Sequence, residues 1–451
     1  MAFEELASGY EGPRPDVVCF SSTSNSLVVV DRLTLDPIRD GFGRCIVAMY
    51  DDSYEDVLER YKGFEDTAAI DRVELSGAIE RLKEEAKKVG GEEAAVPYSS
   101  TGGVSKVMAM MRVLERLGRS KRNVRVVTQS ALVSYGVMGW RKPECGEGNK
   151  RGDTRTKVDW NNLMKLGYEG GEGGGYGEHV PEEIKELLPV GVPVGELIGT
   201  VEEGRIWEGA KVRVGSTDSI AGFVGATEGV GGGVGTAVTS LGTTLALKMV
   251  TERKIFDDGR GVYSHVLPGY VVGEGGKEFV YLAGGASQAG CKVLGDLKFG
   301  ENEFRQFEGG EGKVKREDLY PLPLGKAGER FPFNDPSKVG NVLGDDVSEG
   351  SSRLDLLAGV LHGIAYNVEV EGFKVLEELG GGRPTTVATT GGGGKNRRWR
   401  EIRGEAFRKW MGVKGVVKEG GGEGGGDEAS MGAALIGIRA EIRDNEGQHN
   451  E

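Results

Sequence analysis

Glycine sets the strongest limit on what this chain can fold into. It supplies 78 of 451 residues, against a usual share of about 7%. Much of it lies in runs, most of them acidic, at 169–178, 229–235, 308–312 and 419–428. Such runs bury no apolar surface and carry a high ordering entropy. They read as surface loop insertions, so the core must come from the segments between them. A phosphate-cradling loop needs a strand before it and usually a helix after it. Gly391-Gly392-Gly393-Gly394, following Thr385-Thr386-Val387-Ala388-Thr389, is the stretch that has this context strongly.

Between the runs, two periodicities alternate. Residues 17–20, 27–30 and 45–50 read as strands. Val104, Val107, Met108, Met111, Leu114 and Leu117 fall on one helical face, and Leu356, Leu357, Val360, Leu361, Ile364, Ala365 and Val368 do the same in a long C-terminal helix. Residues 181–188 read as a short helix with Pro181 in its first turn, and 192–199 as an extended connection. Strands alternating with helices predict an α/β architecture. The glycine run after Gly225 suggests a domain boundary, giving domains at 1–227 and 234–451. A chain this long builds a substantial core.

Charge and cysteine usage narrow the partners. The formal charge is −13, which repels nucleic acid and anionic membranes, so neither is expected as a partner. It does not exclude ATP, because backbone amides and a metal ion set the field at a phosphate site. No stretch approaches the roughly 20 apolar residues of a membrane span. Cys19, Cys45, Cys145 and Cys291 are too scattered for a zinc site or redox motif, and a reducing compartment fits. His179, His265, His362 and His449 show no metal-ligand spacing. Residues 1–16 carry no secretory or transit signal.

Three segments could carry chemistry. In Val214-Gly215-Ser216-Thr217-Asp218-Ser219, a strand-like run ends in a polar turn before a small-residue helix. Asp218 there could accept a proton from a substrate hydroxyl in phosphoryl transfer; the plain alternative is that Asp218 or Ser219 is a helix N-cap. In 237–248, two strand-like halves flank Gly242-Thr243-Thr244, whose amides and hydroxyls could bind phosphate oxygens; the alternative is an ordinary hairpin with Gly242 at positive φ. In 389–399, glycines allow close ligand approach, helix amides could meet phosphates, and Trp399 offers a stacking face; the alternative is a glycine loop before a helix capped by Asn396.

Taken in order, these segments resemble the C-terminal two-thirds of an FGGY-type carbohydrate kinase. Further stretches agree: Met49-Tyr50-Asp51-Asp52-Ser53, Ser99 through Lys106, Asp159-Trp160-Asn161-Asn162 with Lys165-Leu166-Gly167-Tyr168, Gly328-Glu329-Arg330-Phe331-Pro332, and the helix around 428–435. The Asp159 block and the Ser240-Leu241-Gly242-Thr243-Thr244-Leu245 turn look most like the ribulose and xylulose kinases of plants and cyanobacteria. The resemblance implies two actin-like (ribonuclease H-like) α/β domains around a central cleft. It implies Asp218 as catalytic base, Gly242, Thr243 and Thr244 on phosphates, and Gly392, Gly393, Asn396 and Trp399 around adenosine. Thr23 and Ser24 would touch the sugar beside Asp218. ATP and Mg²⁺ would be required, with the metal's ligands unassigned. The expected reaction is phosphorylation of a ketopentose, D-ribulose first and D-xylulose as the alternative.

One departure stands against this pattern. The family's opening D-x-G-T-S is missing, and Ser21-Ser22-Thr23-Ser24 stands where a later D-G-T-S is expected. The N-terminal domain is therefore expected to be incomplete. A truncated sequence and a non-catalytic nucleotide- or sugar-binding relative are the two explanations; exposed strand edges favour truncation. An actin-like ATPase without a sugar substrate is a further alternative. The expected compartment is the cytoplasm, or a plastid if a targeting segment lies upstream.

Overall fold

The computed structural model describes residues 12–61, 68–139, 155–325, 327–342, 352–412, 417–419 and 428–448. Cys145, His449 and positions 420–427 of the last glycine run lie outside them. The chain divides into two compact units, Met1–Gly222 with Ala429–Glu451, and Phe223–Glu428. The division falls at Gly222, a few residues before the glycine run, and the last helix is grouped with the first unit.

In the first unit, β-branched and aromatic residues form the strand Val17–Ser22. It pairs in parallel with Lys211–Thr217, from Val17 opposite Lys211 to Ser22 opposite Thr217. Lys211–Thr217 is nearly all buried and pairs on its other side with Leu197–Thr200 in antiparallel fashion. Leu27–Asp31 lies between Val47–Ala48 and Val124–Thr128 in a second sheet. Helix Gly103–Arg116 buries Val104, Val107, Met111 and Leu114 as expected, while Leu117 is left partly exposed at its end. Helix Glu428–Gln448 is held to Lys211–Thr217 by charge. Buried Arg213 meets Glu441 at 2.5 Å and Asp444 at 2.7 Å, and Lys211 meets Glu441 at 2.6 Å.

The second unit, among the described residues, is organised on a six-stranded sheet. Its order is Tyr263–Pro268, Phe279–Ser287, Leu245–Thr251, Thr236–Leu241, Thr386–Thr390, Val417–Glu419. The first four strands are antiparallel neighbours and the last two pairings are parallel. Arg353–Gly363 continues into wider, π-type turns at Ile364–Val370, which line the core with Ile364, Ala365 and Val368.

The structure departs from several expectations. The strand at 45–50 shrinks to Val47–Ala48. The Asp52 carboxylate accepts from the Met49 N–H at 2.6 Å, and Lys106 donates to the carbonyls of Met49 and Tyr50. These side chains take the backbone groups that a longer strand would have used. The connection at 192–199 contains strand ends, since Val190–Val192 pairs with Lys157–Asp159 and Leu197 begins another strand. The helix at 181–188 is the single turn Glu182–Lys185. Two glycine runs are not free loops. Within 169–178, Tyr168–Glu169 pairs with Gly175–Tyr176, and the two tyrosine rings meet edge to face. At 308–312, Arg398 donates to the carbonyls of Phe307, Glu311 and Gly312.

Candidate functional site

Parallel strands present their carboxyl ends at one edge, where helix N-termini and loops collect ligands. Each unit has such an edge. In the first, Ser22 lies opposite Thr217, so Thr23 and Asp218 leave the same end of the sheet as the next residue of each strand. Asp218 opens helix Asp218–Ala226 and is exposed. It is not the N-cap, and neither is Ser219. Thr217 fills that role, its hydroxyl accepting from the Ile220 N–H at 3.3 Å. The Asp218 carboxylate accepts from the Ser219 N–H at 2.7 Å and otherwise faces solvent. Thr23 and Ser24 are half-buried in the following turn, which Asn25 makes with φ +59°.

Beneath this edge sits a carboxylate that motif reading passed over as a site. Asp159 is 1% exposed. It caps the short helix Trp160–Leu163 by accepting from the N–H groups of Asn161 and Asn162. It also accepts from the Asn162 side chain at 2.5 Å and from the Ser216 hydroxyl at 3.0 Å. Burial pushes its carboxyl up to about 6 despite those hydrogen bonds. Asp159 thus ties the block at 159–162 to the strand that delivers Asp218. The link was hidden because 57 residues separate Asp159 from Ser216.

In the second unit, Thr236–Leu241 and Leu245–Thr251 form the expected hairpin, with Leu241 opposite Leu245. Gly242 has no positive φ, so that part of the ordinary-hairpin reading is wrong. The tip is instead braced from below. Cys291 N–H donates to the Gly242 carbonyl at 2.8 Å, its thiol to the Leu241 carbonyl at 3.3 Å, and Lys292 N–H to the Thr243 carbonyl at 3.2 Å. Thr243 and Thr244 are exposed, and their hydroxyls have no partner among the described residues. Burial pushes the Cys291 thiol up, as suits a structural brace.

Thr386–Thr390 runs parallel beside the hairpin, with Ser240 opposite Thr390, and brings the glycine loop to the tip. Gly391 has φ +81° and ψ 169°, a region open almost only to glycine. A Cβ there would stand 2.6 Å from the Leu241 carbonyl. Gly392 is exposed with open space above it. Asn396 caps helix Arg397–Met411, its side-chain oxygen accepting from the Trp399 N–H at 2.9 Å. Glycine loop, tip and helix start therefore come together as expected. Trp399 departs from expectation: it is 1% exposed. A Cβ on Gly393 would collide with its ring. Its indole supports the glycine turn from inside and presents no open stacking face.

Buried polar residues outside the three segments complete this edge. Glu329, 2% exposed, accepts from Ser287, the Gln288 N–H and Tyr320, fastening the end of Phe279–Ser287. Glu369 and Arg403 form a fully buried pair. Among the described residues, no cluster of His, Cys, Asp and Glu could hold a metal ion, and no helix is long and apolar enough to cross a membrane.

The chain has a mixed α/β fold that superimposes on solved carbohydrate kinases. No protein-family model matches the chain. Among solved structures, xylulose kinase from Bifidobacterium adolescentis superimposes with TM-score 0.67 at 15% identity, covering 98% of this chain and 84% of that one. Ligand-bound xylulose kinase from Lactobacillus acidophilus gives 0.65 at 12%, covering 98% and 78%. Glycerol kinase from Plasmodium falciparum with ADP gives 0.64 at 12%, also covering 98% and 78%.

Proposed function

We propose that this chain is an ATP-dependent carbohydrate kinase acting on a ketopentose. The observation that carries the reading is the placement of Asp218. Its carboxylate stands exposed at the carboxyl end of a buried strand, with the capping duty already taken by Thr217. A carboxylate so held can accept a proton without the helix losing its cap. Thr23 and Ser24, on the neighbouring strand end, are the sugar-side contacts in this reading. Gly242, Thr243 and Thr244 meet phosphate oxygens through amides and hydroxyls, while Gly392, Gly393 and Asn396 border the nucleoside. Trp399 shapes that border from beneath.

In the reaction, Asp218 takes the proton of the sugar's terminal hydroxyl as its oxygen attacks the γ-phosphorus. The bond to the bridging oxygen breaks and ADP leaves. Magnesium enters as part of the nucleotide substrate and neutralises charge developing on the phosphates. D-ribulose is the preferred acceptor on the strength of the Asp159 block and the Ser240–Leu245 turn. D-xylulose is the second reading, favoured by the xylulose kinases among the structural matches.

The test is ADP release from magnesium-ATP by the purified chain with D-ribulose, D-xylulose, glycerol or no sugar. Turnover with one ketopentose supports the kinase reading and selects the substrate. Equal release with and without sugar identifies an ATPase. Silence from a folded chain that still binds nucleotide identifies a binding protein.

A further inference from the structure

The phosphate-side edge of the second unit depends on the separation of two strand ends. One carries Gly242 and Thr243, the other Gly391 to Gly393. Three residues before Gly242 lies Thr239, and two before Gly391 lies Thr389; these threonines are register partners. Both are buried, and both hydroxyls are used by the same ion pair. Thr239 donates to Glu369 Oε1 at 2.6 Å. Arg403 Nη1 donates to the Thr389 hydroxyl at 2.6 Å. Arg403 Nε and Nη2 donate to Glu369 Oε2 and Oε1 at 2.7 and 2.5 Å. Glu369 and Arg403 are each 0% exposed.

We infer that Glu369 and Arg403 are positioning residues that set the geometry of the proposed nucleotide site. The inference rests on reading this edge as that site. A buried ion pair is a poor way to gain stability, because desolvation consumes most of its Coulombic gain, and an apolar pair of similar volume often does as well or better. What this pair supplies is direction. It closes a ring through both strands and through the helix capped by Asn396. Arg403 lies one turn beyond Trp399 on that helix, whose ring supports Gly393. Glu369 sits in the π-type turns of Ile364–Val370, an insertion of the kind that re-aims a helical side chain. Splaying of Thr239 from Thr389 would stretch both hydroxyl links at once. Neither charged group reaches the ligand edge, so their effect passes through Gly242 and Gly391.

The test is the calorimetric Kd for ADP, with KM for ATP and for the sugar where turnover is seen. It is applied to the wild type, to the double variant E369L/R403M, and to the double variant T239V/T389V. The first removes both charges together and leaves no unpaired ion; the second keeps the ion pair and removes its anchors. We expect E369L/R403M to unfold within a few degrees of the wild type while ADP binding weakens about ten-fold, within the range for residues that couple to a site without touching it. KM for ATP should rise and KM for the sugar should stay. A folded E369L/R403M that binds ADP within about two-fold of the wild type overturns the inference. If that variant does not fold, T239V/T389V decides. Weakened ADP binding at a near-native melting temperature supports positioning, and unchanged binding overturns it. A wild type that binds no ADP removes the nucleotide reading itself, and this inference falls with it; that result is distinct from a failure confined to the variants.

Discussion

The two strand edges use the same geometry in opposite ways. At the Asp218 edge, the carboxylate proposed as base stands in solvent while the supporting groups, Thr217, Ser216 and Asp159, are buried behind it. At the Gly242–Gly391 edge, Lys395 is exposed at the end of the glycine turn, but the two tips themselves present backbone and threonine hydroxyls, braced by Cys291, Trp399 and the Glu369–Arg403 ring. In the proposed reading, the difference follows from the chemistry each edge would perform. A general base needs a side chain with a proton affinity of its own. A phosphate cradle needs fixed dipoles, and these lose their value if the backbone drifts.

The sharpest way to break this comparison is Asp218→Asn. If the first edge works through proton transfer, sugar-dependent ADP release should fall by about three orders of magnitude, while calorimetric ADP affinity stays unchanged. Loss of both together would mean that the two edges are not functionally separate.

Asp159 gives a pH signature confined to the first edge. Its folded-state pKa, about 6, lies above the usual 3.9 or so of an unfolded aspartate. The protonated form is favoured in the fold, so its stabilising contribution is full below about pH 4 and is lost as pH rises through 6. A rise of that size corresponds to about 3 kcal/mol between the two protonation states. Urea unfolding of wild type and Asp159→Asn across pH 4 to 7 should show a steeper fall in the wild type. Parallel curves would remove Asp159 as its source.

Gly391→Ala probes the second edge. The residue's backbone angles and the nearby Leu241 carbonyl should make any side chain cost about 1–3 kcal/mol. ADP affinity should drop alongside the melting temperature. A tolerated alanine would show that the loop can adopt another course. The smallest expected effect is Trp399→Phe. The indole nitrogen is buried without a hydrogen-bond partner, so its removal costs little beyond lost volume, about 1 kcal/mol. ADP affinity should stay within about two-fold; a larger loss would mean that a phenyl ring cannot hold the glycine turn as the indole does.

Much of this was legible from residues close together in the chain. The strand–glycine–helix order at 385–399, the hairpin at 237–248 and the strand leading to Asp218 each declare themselves locally, because β-branched runs, glycines and caps act over a few residues. What could not be read was set by distant partners. Trp399 looked available for stacking because sequence gives no sign that Gly393 lies over its ring. The strand at 45–50 was cut short by Lys106 and Asp52, whose hold on the Met49–Tyr50 backbone is a tertiary choice. The ion pair of Glu369 and Arg403 joins positions 34 residues apart, with no local pattern to mark it. The acidic run at 308–312 looked like an insertion, yet its carbonyls receive Arg398 at the start of the helix after the glycine loop.

The pairing of Arg213 with Glu441 and Asp444 has a consequence for biosynthesis. The second unit is one unbroken stretch of chain. The first unit must wait, because a guanidinium suited to a dry setting has no anionic partner until positions 441 and 444 have been translated. The last residues that the first unit needs thus lie beyond the last residue of the second in the chain.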